Sequence, residues 1–274
     1  MADRPLRLLI IGAHPDDADY HAGGLAALYR AAGHEVNMVS LTNGDAGHHV
    51  QRGRELAQRR RAEAAAAAAV IGATYDVLEI PDGELLPSLE NRRQLIRLIR
   101  SVQPDLLLTH RPNDYHPDHR YTSQLVQDAA YMVTVPAIVP GTPHLTANPV
   151  IAYLADDFEK PYPFSPAVAL DVGKVVERII DMLHCHTSQF YEWLPYNWGV
   201  ADQVPSGDRE RRAWLAELTR QRLRRRADCH RELLITRYGA ERGREVRYAE
   251  AFEACEYGAR LDENAIRRLF QLGE

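Results

Sequence analysis

The sequence predicts an α/β fold: a Rossmann-like, mainly parallel sheet flanked by helices, with a mostly helical C-terminal extension. Three observations predict it. Strand-length apolar runs alternate with amphipathic helical stretches up to residue 136, the rhythm of βαβ units. The first run, residues 6–11, is apolar on both faces, as a parallel strand covered by two helical layers must be. Histidines, aspartates and asparagines gather just beyond the ends of these runs, where open α/β sheets bind ligands.

The elements follow in order. Residues 6–11 predict a strand and 23–32 a helix stopped at Gly33. Residues 35–41 predict a second strand. Residues 54–71, with alanines at 64–69, predict a strong helix. Residues 75–80 predict a third strand, and 88–102 a helix with Ser88 as N-cap. Residues 105–109 predict a fourth strand, followed by a helix over 118–135. Beyond 136 the pattern loosens into proline-rich loops, strands at 150–154 and 167–172, and a helix over 174–189. The remainder reads as charged, amphipathic helix. One domain over 1–274 is expected, with 1–136 as the Rossmann-like core and 137–274 packed on it.

Composition narrows the function. A net charge of −5 over 274 residues gives no global basic field, so nucleic acid is not an expected partner. The run Arg220-Gln221-Arg222-Leu223-Arg224-Arg225-Arg226 reads as the solvated face of a helix. Cys185, Cys229 and Cys255 form no Cys-x-x-Cys pair and suggest packed thiols rather than disulfides. No signal peptide or membrane span is visible, and a cytoplasmic protein is expected, with homo-oligomerisation left open. The first turn lacks the G-x-G-x-x-G fingerprint, and its two aspartates would repel a pyrophosphate, which disfavours a dinucleotide enzyme.

Two strings carry the chemistry: Ala13-His14-Pro15-Asp16-Asp17 and His116-Pro117-Asp118-His119. In the strand order 3-2-1-4, strands one and four are neighbours and the two strings share one crevice. Two imidazoles and a carboxylate with an open fourth position suit a hydrolytic zinc site, and His14, Asp17 and His119 are the favoured ligands. Fe2+ or another divalent metal would fit the same set. Asp16 is then free beside the metal, and His116 is left to face a substrate.

At these residues the chain resembles the PIG-L / LmbE-like family of zinc-dependent N-deacetylases, which act on N-acetylglucosamine-type sugars. Further resemblances are Gly23-Gly24, Thr42-Asn43-Gly44-Asp45, Arg60-Arg61-Ala62-Glu63, Pro81-Asp82-Gly83, His186-Thr187-Ser188-Gln189 and the stretch 248–253. Two departures stand out. Ala18-Asp19 replaces the glutamate that often follows Asp-Asp. Asp114 stands where some members place an assisting tyrosine, with Tyr115 one residue later.

The resemblance implies release of acetate and a free amine, with Asp16 as general base and His116, charged by Asp118, protonating the leaving amine. Arg60, Asp82, Asn43, Asp45, Tyr115 and His186 are candidate substrate-binding residues. Each has a plainer reading as a helix-surface, turn or buried structural residue. His48 and His49 read as exposed loop residues or part of a lid, and the aromatic stretch 190–198 as packing or a sugar-stacking face. Two alternatives stay open: a metal amidase for a larger amide or thiol conjugate, and a metal-dependent binding protein without turnover.

Overall fold

The computed structural model describes residues 4–270. Seven strands form one sheet: β1 (Arg7–Gly12), β2 (Glu35–Thr42), β3 (Thr74–Ile80), β4 (Leu106–Thr109), β5 (Val150–Leu154), β6 (Val168–Asp171) and β7 (Ala249–Ala254). Their order is β3-β2-β1-β4-β5-β7-β6. The first five pair in parallel, and β7 is antiparallel to both its neighbours. The expected 3-2-1-4 order is therefore present, and β1 and β4 lie side by side.

The helices of the first half are α1 (Asp17–Ala31), α2 (Gly53–Ile71), α3 (Leu89–Val102) and α4 (Pro117–Met132). Those of the second half are α5 (Val176–Cys185), α6 (Leu194–Asn197), α7 (Asp208–Cys229), α8 (Arg231–Tyr238), α9 (Ala240–Glu245) and α10 (Glu263–Phe270). Alternation along the strands splits the core into two layers. Leu8, Ile10, Leu106 and Leu108 pack on the α1 and α5 face. Leu9, Ile11 and Leu107 pack with Ile96 and Ile99 of α3 and Leu125 and Val126 of α4 on the other.

Several expectations need correction in detail. The first helix begins at Asp17, not residue 23, because the turn after β1 closes at once; it kinks at Ala22. The helix expected over 174–189 is α5 followed by a π-helical turn, Ser188–Trp193, and α6. The stretch 249–254 is strand β7, inserted between β5 and β6, where the tail was read as mostly helical. Its alternating Ala249-Glu250-Ala251-Phe252-Glu253 has strand period, but alanine and glutamate are poor strand formers, so local preference hid it. Ser88 does cap α3, accepting from the Asn91 N–H at 3.2 Å. Among the described residues, no helix is long and apolar enough to cross a membrane.

Candidate metal centre and active site

The first string is a tight turn between β1 and α1. Gly12 is required there: a Cβ on it would stand 2.6 Å from the Asp17 Cβ. The room lets Asp17 fold back over the strand end. Its Oδ2 accepts from the Ala13 N–H at 2.8 Å and the His14 N–H at 2.7 Å. His110, the residue after β4, places Nε2 3.1 Å from the same oxygen. Burial opposes charge on Asp17, yet His119 and His110 hold its carboxyl well below the usual range. Asp17 is thus a fixed carboxylate.

The second string opens α4. His116 is the N-cap: its Nδ1 accepts from the Asp118 N–H at 3.2 Å, and Pro117 follows at the first helical position. This mounts His119 on the first turn, facing β1. Three donor atoms converge there. His14 Nδ1 lies 3.1 Å from His119 Nε2. The Asp17 oxygens lie 3.6 Å from each of those nitrogens.

The outer nitrogens decide what this cluster is. His14 Nε2 faces Asp82 Oδ1 at 3.1 Å and Asp118 Oδ2 at 3.5 Å. His119 Nδ1 faces Asp114 Oδ1 at 3.1 Å. These are close charge contacts rather than aligned hydrogen bonds. With a cation bound, the ring protons would sit on the outer nitrogens, toward these carboxylates. The inner nitrogens, 3.1 Å apart with the Asp17 carboxylate beside them, would then each offer a lone pair. Burial opposes charge on His14, but Asp118, Asp17 and Asp82 hold its pKa well above the usual histidine value, so the pocket favours a cation. Donors bound tetrahedrally at about 2.1 Å would stand roughly 3.4 Å apart, close to the separations found. The residues therefore fit a divalent metal with oxygen and nitrogen ligands. Two overlapping groups, His14–Asp82–His116–Asp118 and His110–Asp114–His119, also bring metal-binding atoms close. Their short contacts are the outer histidine–carboxylate pairs themselves.

Asp16 sits beside the triad and lines a cavity of about 790 Å³ with Asp17, His119, Asp114 and Tyr115. Arg60, buried on α2, donates to Asp16 Oδ1 at 2.8 Å and to the Gly44 carbonyl at 3.2 Å. Gly44 (φ +70°) and Gly47 clear its path; a Cβ on either would stand 2.5 or 2.7 Å from Arg60 Nη1. Arg60 thus faces Asp16 rather than the helix surface.

The other candidates divide. Asp82 orients His14, and Asp45 Oδ1 accepts from the Asp82 N–H at 2.9 Å. Asn43 Oδ1 accepts from the Asp45 N–H at 3.0 Å. These two shape the loop that carries Asp82. Tyr115 is exposed at the cavity wall, its ring 5.3 Å from that of His119. His186 is fully buried, 2.7 Å from Asp19 Oδ2, and does not line the cavity. Asp118 accepts from the Gly83 N–H at 2.7 Å. Burial, then the neighbouring His14 and His119, lowers the pKa of His116.

His110 and Asp114 belong to the polar cluster beyond the fourth strand but carry no assigned role in the sequence, and neither does Glu63. His110 stacks on His119 at 3.9 Å and bonds Asp17. Its place directly after a strand was the available signal. Asp114 is held to a pKa of about 2: burial opposes its charge, but the His119 contact outweighs it. Glu63 accepts from Thr187 Oγ1 at 2.8 Å and the Ser188 N–H at 3.0 Å, tying α2 to the turn after α5. His48 bonds Glu192 at 2.9 Å, and His49 stacks on Tyr196 at 4.1 Å, which fastens their loop to the same turn. Of the aromatic stretch, Phe190 and Trp198 line the cavity.

Residues 9–130, which hold both strings, match the PIG-L family model, described as GlcNAc-PI de-N-acetylase. The chain carries a PIG-L family domain. Two relatives of different activity resemble it. The 4-oxalmesaconate hydratase of Pseudomonas putida is 28% identical over 196 residues, 69% of this chain and 76% of that protein. The 1D-myo-inositol 2-acetamido-2-deoxy-alpha-D-glucopyranoside deacetylase of Thermobispora bispora is 31% identical over 173 residues. That match covers 52% of this chain and 57% of the deacetylase, under two thirds of its length. Among solved structures, a 4-carboxy-2-hydroxymuconate hydratase from P. putida KT2440 superposes with TM-score 0.73 at 23% identity, covering 94% of this chain and 99% of that one. The N,N'-diacetylchitobiose deacetylase of Pyrococcus horikoshii superposes with TM-score 0.69 at 25% identity, covering 92% and 84%. The PIG-L domain thus sits in the fold shared by these deacetylases and the hydratase.

Proposed function

We propose that this PIG-L domain protein is a metal-dependent hydrolase that removes the N-acetyl group from an N-acetylglucosamine-type amino sugar or its conjugate. The carrying observation is the convergence of His14 Nδ1 and His119 Nε2, 3.1 Å apart, with Asp17 oxygens at 3.6 Å and Asp16 beside them on the cavity wall. Residues 1–274 are read as one domain, since the second half supplies β5, β6 and β7 to the same sheet. The same reading places a small-molecule enzyme in the cytoplasm.

His14, Asp17 and His119 would hold the cation, with zinc the best match to two imidazoles and a carboxylate. When bound, it supplies Lewis acidity toward the acyl carbonyl and lowers the pKa of a nearby water. Asp16, steadied by Arg60 at one oxygen, takes the proton of the attacking water. Because His116 Nδ1 accepts from a backbone N–H, its ring carries the proton on Nε2 and works as a neutral donor. It stabilises the developing oxyanion. A neutral imidazole is a poor acid, so this reading gives Asp16 the return of the proton to the departing amine, the step that the resemblance implies for His116 charged by Asp118. Asp118 accepts from the Gly83 N–H and lies 3.5 Å from His14 Nε2.

A second reading, hydration of a conjugated acid, is favoured by the hydratase match, the longer of the two relatives' alignments. Asp16 would serve it equally, by activating water for addition to a double bond. The two separate by product. Protein loaded with one equivalent of Zn2+ should release acetate from N-acetylated amino sugars and leave the absorbance of 4-oxalmesaconate unchanged. Loss of that absorbance without acetate release establishes the second reading instead.

A further inference from the structure

The basic run on α7 does not behave as one solvated face. Arg220 pairs with Glu177, and Arg224 lies over the Tyr248 ring at 6.0 Å. Arg222 and Arg226, one helical turn apart, line the same cavity as Asp16 and His119. We propose that this cavity takes a substrate bearing a carboxylate, seated against Arg222 and Arg226 with its reacting group at the His14–Asp17–His119 end. The inference rests on the reading of this cavity as the substrate site.

Arg222 is held in place without being neutralised. Its Nη1 donates to the Tyr20 carbonyl at 2.5 Å, and its guanidinium lies 4.0 Å from the centre of the Tyr20 ring. Its Nη2 is buried with no hydrogen-bond partner, so no ion pair offsets its charge there. Among the described residues Arg226 pairs with Asp157, 3.8 Å away, and Asp157 is shared with the exposed Arg225 at 3.5 Å. Glu250, a buried acid lining the same cavity, is committed to the Gly24 and Leu25 N–H groups at 2.7 and 2.9 Å. Burial pushes its pKa up to about 7, so it is a weak counter-charge for Arg222.

Asp16, Asp17 and Asp114 line the same cavity beside the His14–Asp17–His119 cluster, and Asp156 and Asp157 line it as well. An anionic group is repelled by these carboxylates and drawn to the arginines of α7. Two planar guanidiniums suit the flat, two-oxygen face of a carboxylate. A volume near 790 Å³ is ample for a substrate long enough to reach both ends.

The test uses the full chain loaded with Zn2+ and two probes that differ in charge and by one methyl group: N-acetylmuramic acid and its methyl ester. The acid should be deacetylated with at least 10-fold higher kcat/KM. Arg222→Gln should erase that preference through KM, with kcat within about 3-fold and the ester unaffected. Arg226→Gln is the second variant should Arg222→Gln fail to fold, and Arg224→Gln should change nothing. Calorimetric binding of glutarate separates this inference from the proposed reaction. Glutarate binding that weakens at least 10-fold in Arg222→Gln or Arg226→Gln supports the carboxylate seat even if no acetate is released. Acetate release with equal kcat/KM for acid and ester, or glutarate binding unchanged in both variants, overturns it.

Discussion

At the scale of single residues, the site is a set of side chains each held by a partner that leaves one atom for chemistry. Asp114 and Asp82 take the outer nitrogens of His119 and His14, and Arg60 takes one oxygen of Asp16. The pairing of Arg60 with Asp16 separates position from chemistry. Asp16→Asn should keep the metal and the fold while turnover falls at least 100-fold, the range for loss of a general base. Arg60→Met should keep the metal and lower kcat about 10-fold or more, since Asp16 loses its tether. Metal content and acetate-release kinetics check both. An Asp16→Asn enzyme of normal kcat would remove the base from the scheme. These residues were visible from the sequence because proline-bounded His/Asp strings at strand ends are rare arrangements. What Arg60 touches was not visible. Residue type gives charge, whereas the facing of α2 toward Gly44 and Gly47 comes only from packing.

At the scale of elements, β7 is the least legible and the most consequential. It carries Glu250 under α1, where Gly24 makes room; a Cβ there would stand 2.8 Å from the Glu250 Oε1. Burial raises the folded pKa of Glu250 to about 7 from an ordinary 4.5. The folded state therefore holds this proton more tightly than the unfolded chain. Stability from this group is full below pH 4.5 and falls as pH rises toward 7. Between pH 5.5 and 8 the loss should be about 2 kcal/mol. Urea unfolding of the wild type and Glu250→Gln at the two pH values checks it: the variant should lack that part of the slope. Equal slopes would mean that Glu250 is ionised in the folded protein. The π-helical turn after α5 was equally hidden, because helical periodicity over 174–189 does not register one inserted residue. Strands β1 and β4 were plain because their near-continuous apolar runs suit strands covered on both faces.

At the scale of the whole molecule, the sheet order brings the two strings together. β1 and β4 are adjacent, α1 leaves one and α4 follows the other, and their first turns meet over the crevice. That much was legible, since alternating strands and helices restrict the topology to few choices. The far wall of the cavity was not. It comes from α7, some hundred residues later in the chain, and its arginines look like a solvated stripe until the helix is docked against β7 and α5. The central claim is that one cation sits between His14, Asp17 and His119. The most direct measurement is equilibrium metal binding with Co2+ as a spectroscopic reporter, on metal-free wild type, His119→Ala and Asp16→Asn. One Co2+ per chain with a visible ligand-field band in the wild type and Asp16→Asn, and none in His119→Ala, is the expected result. Absence of the band in the wild type, or a band undiminished in His119→Ala, would contradict it.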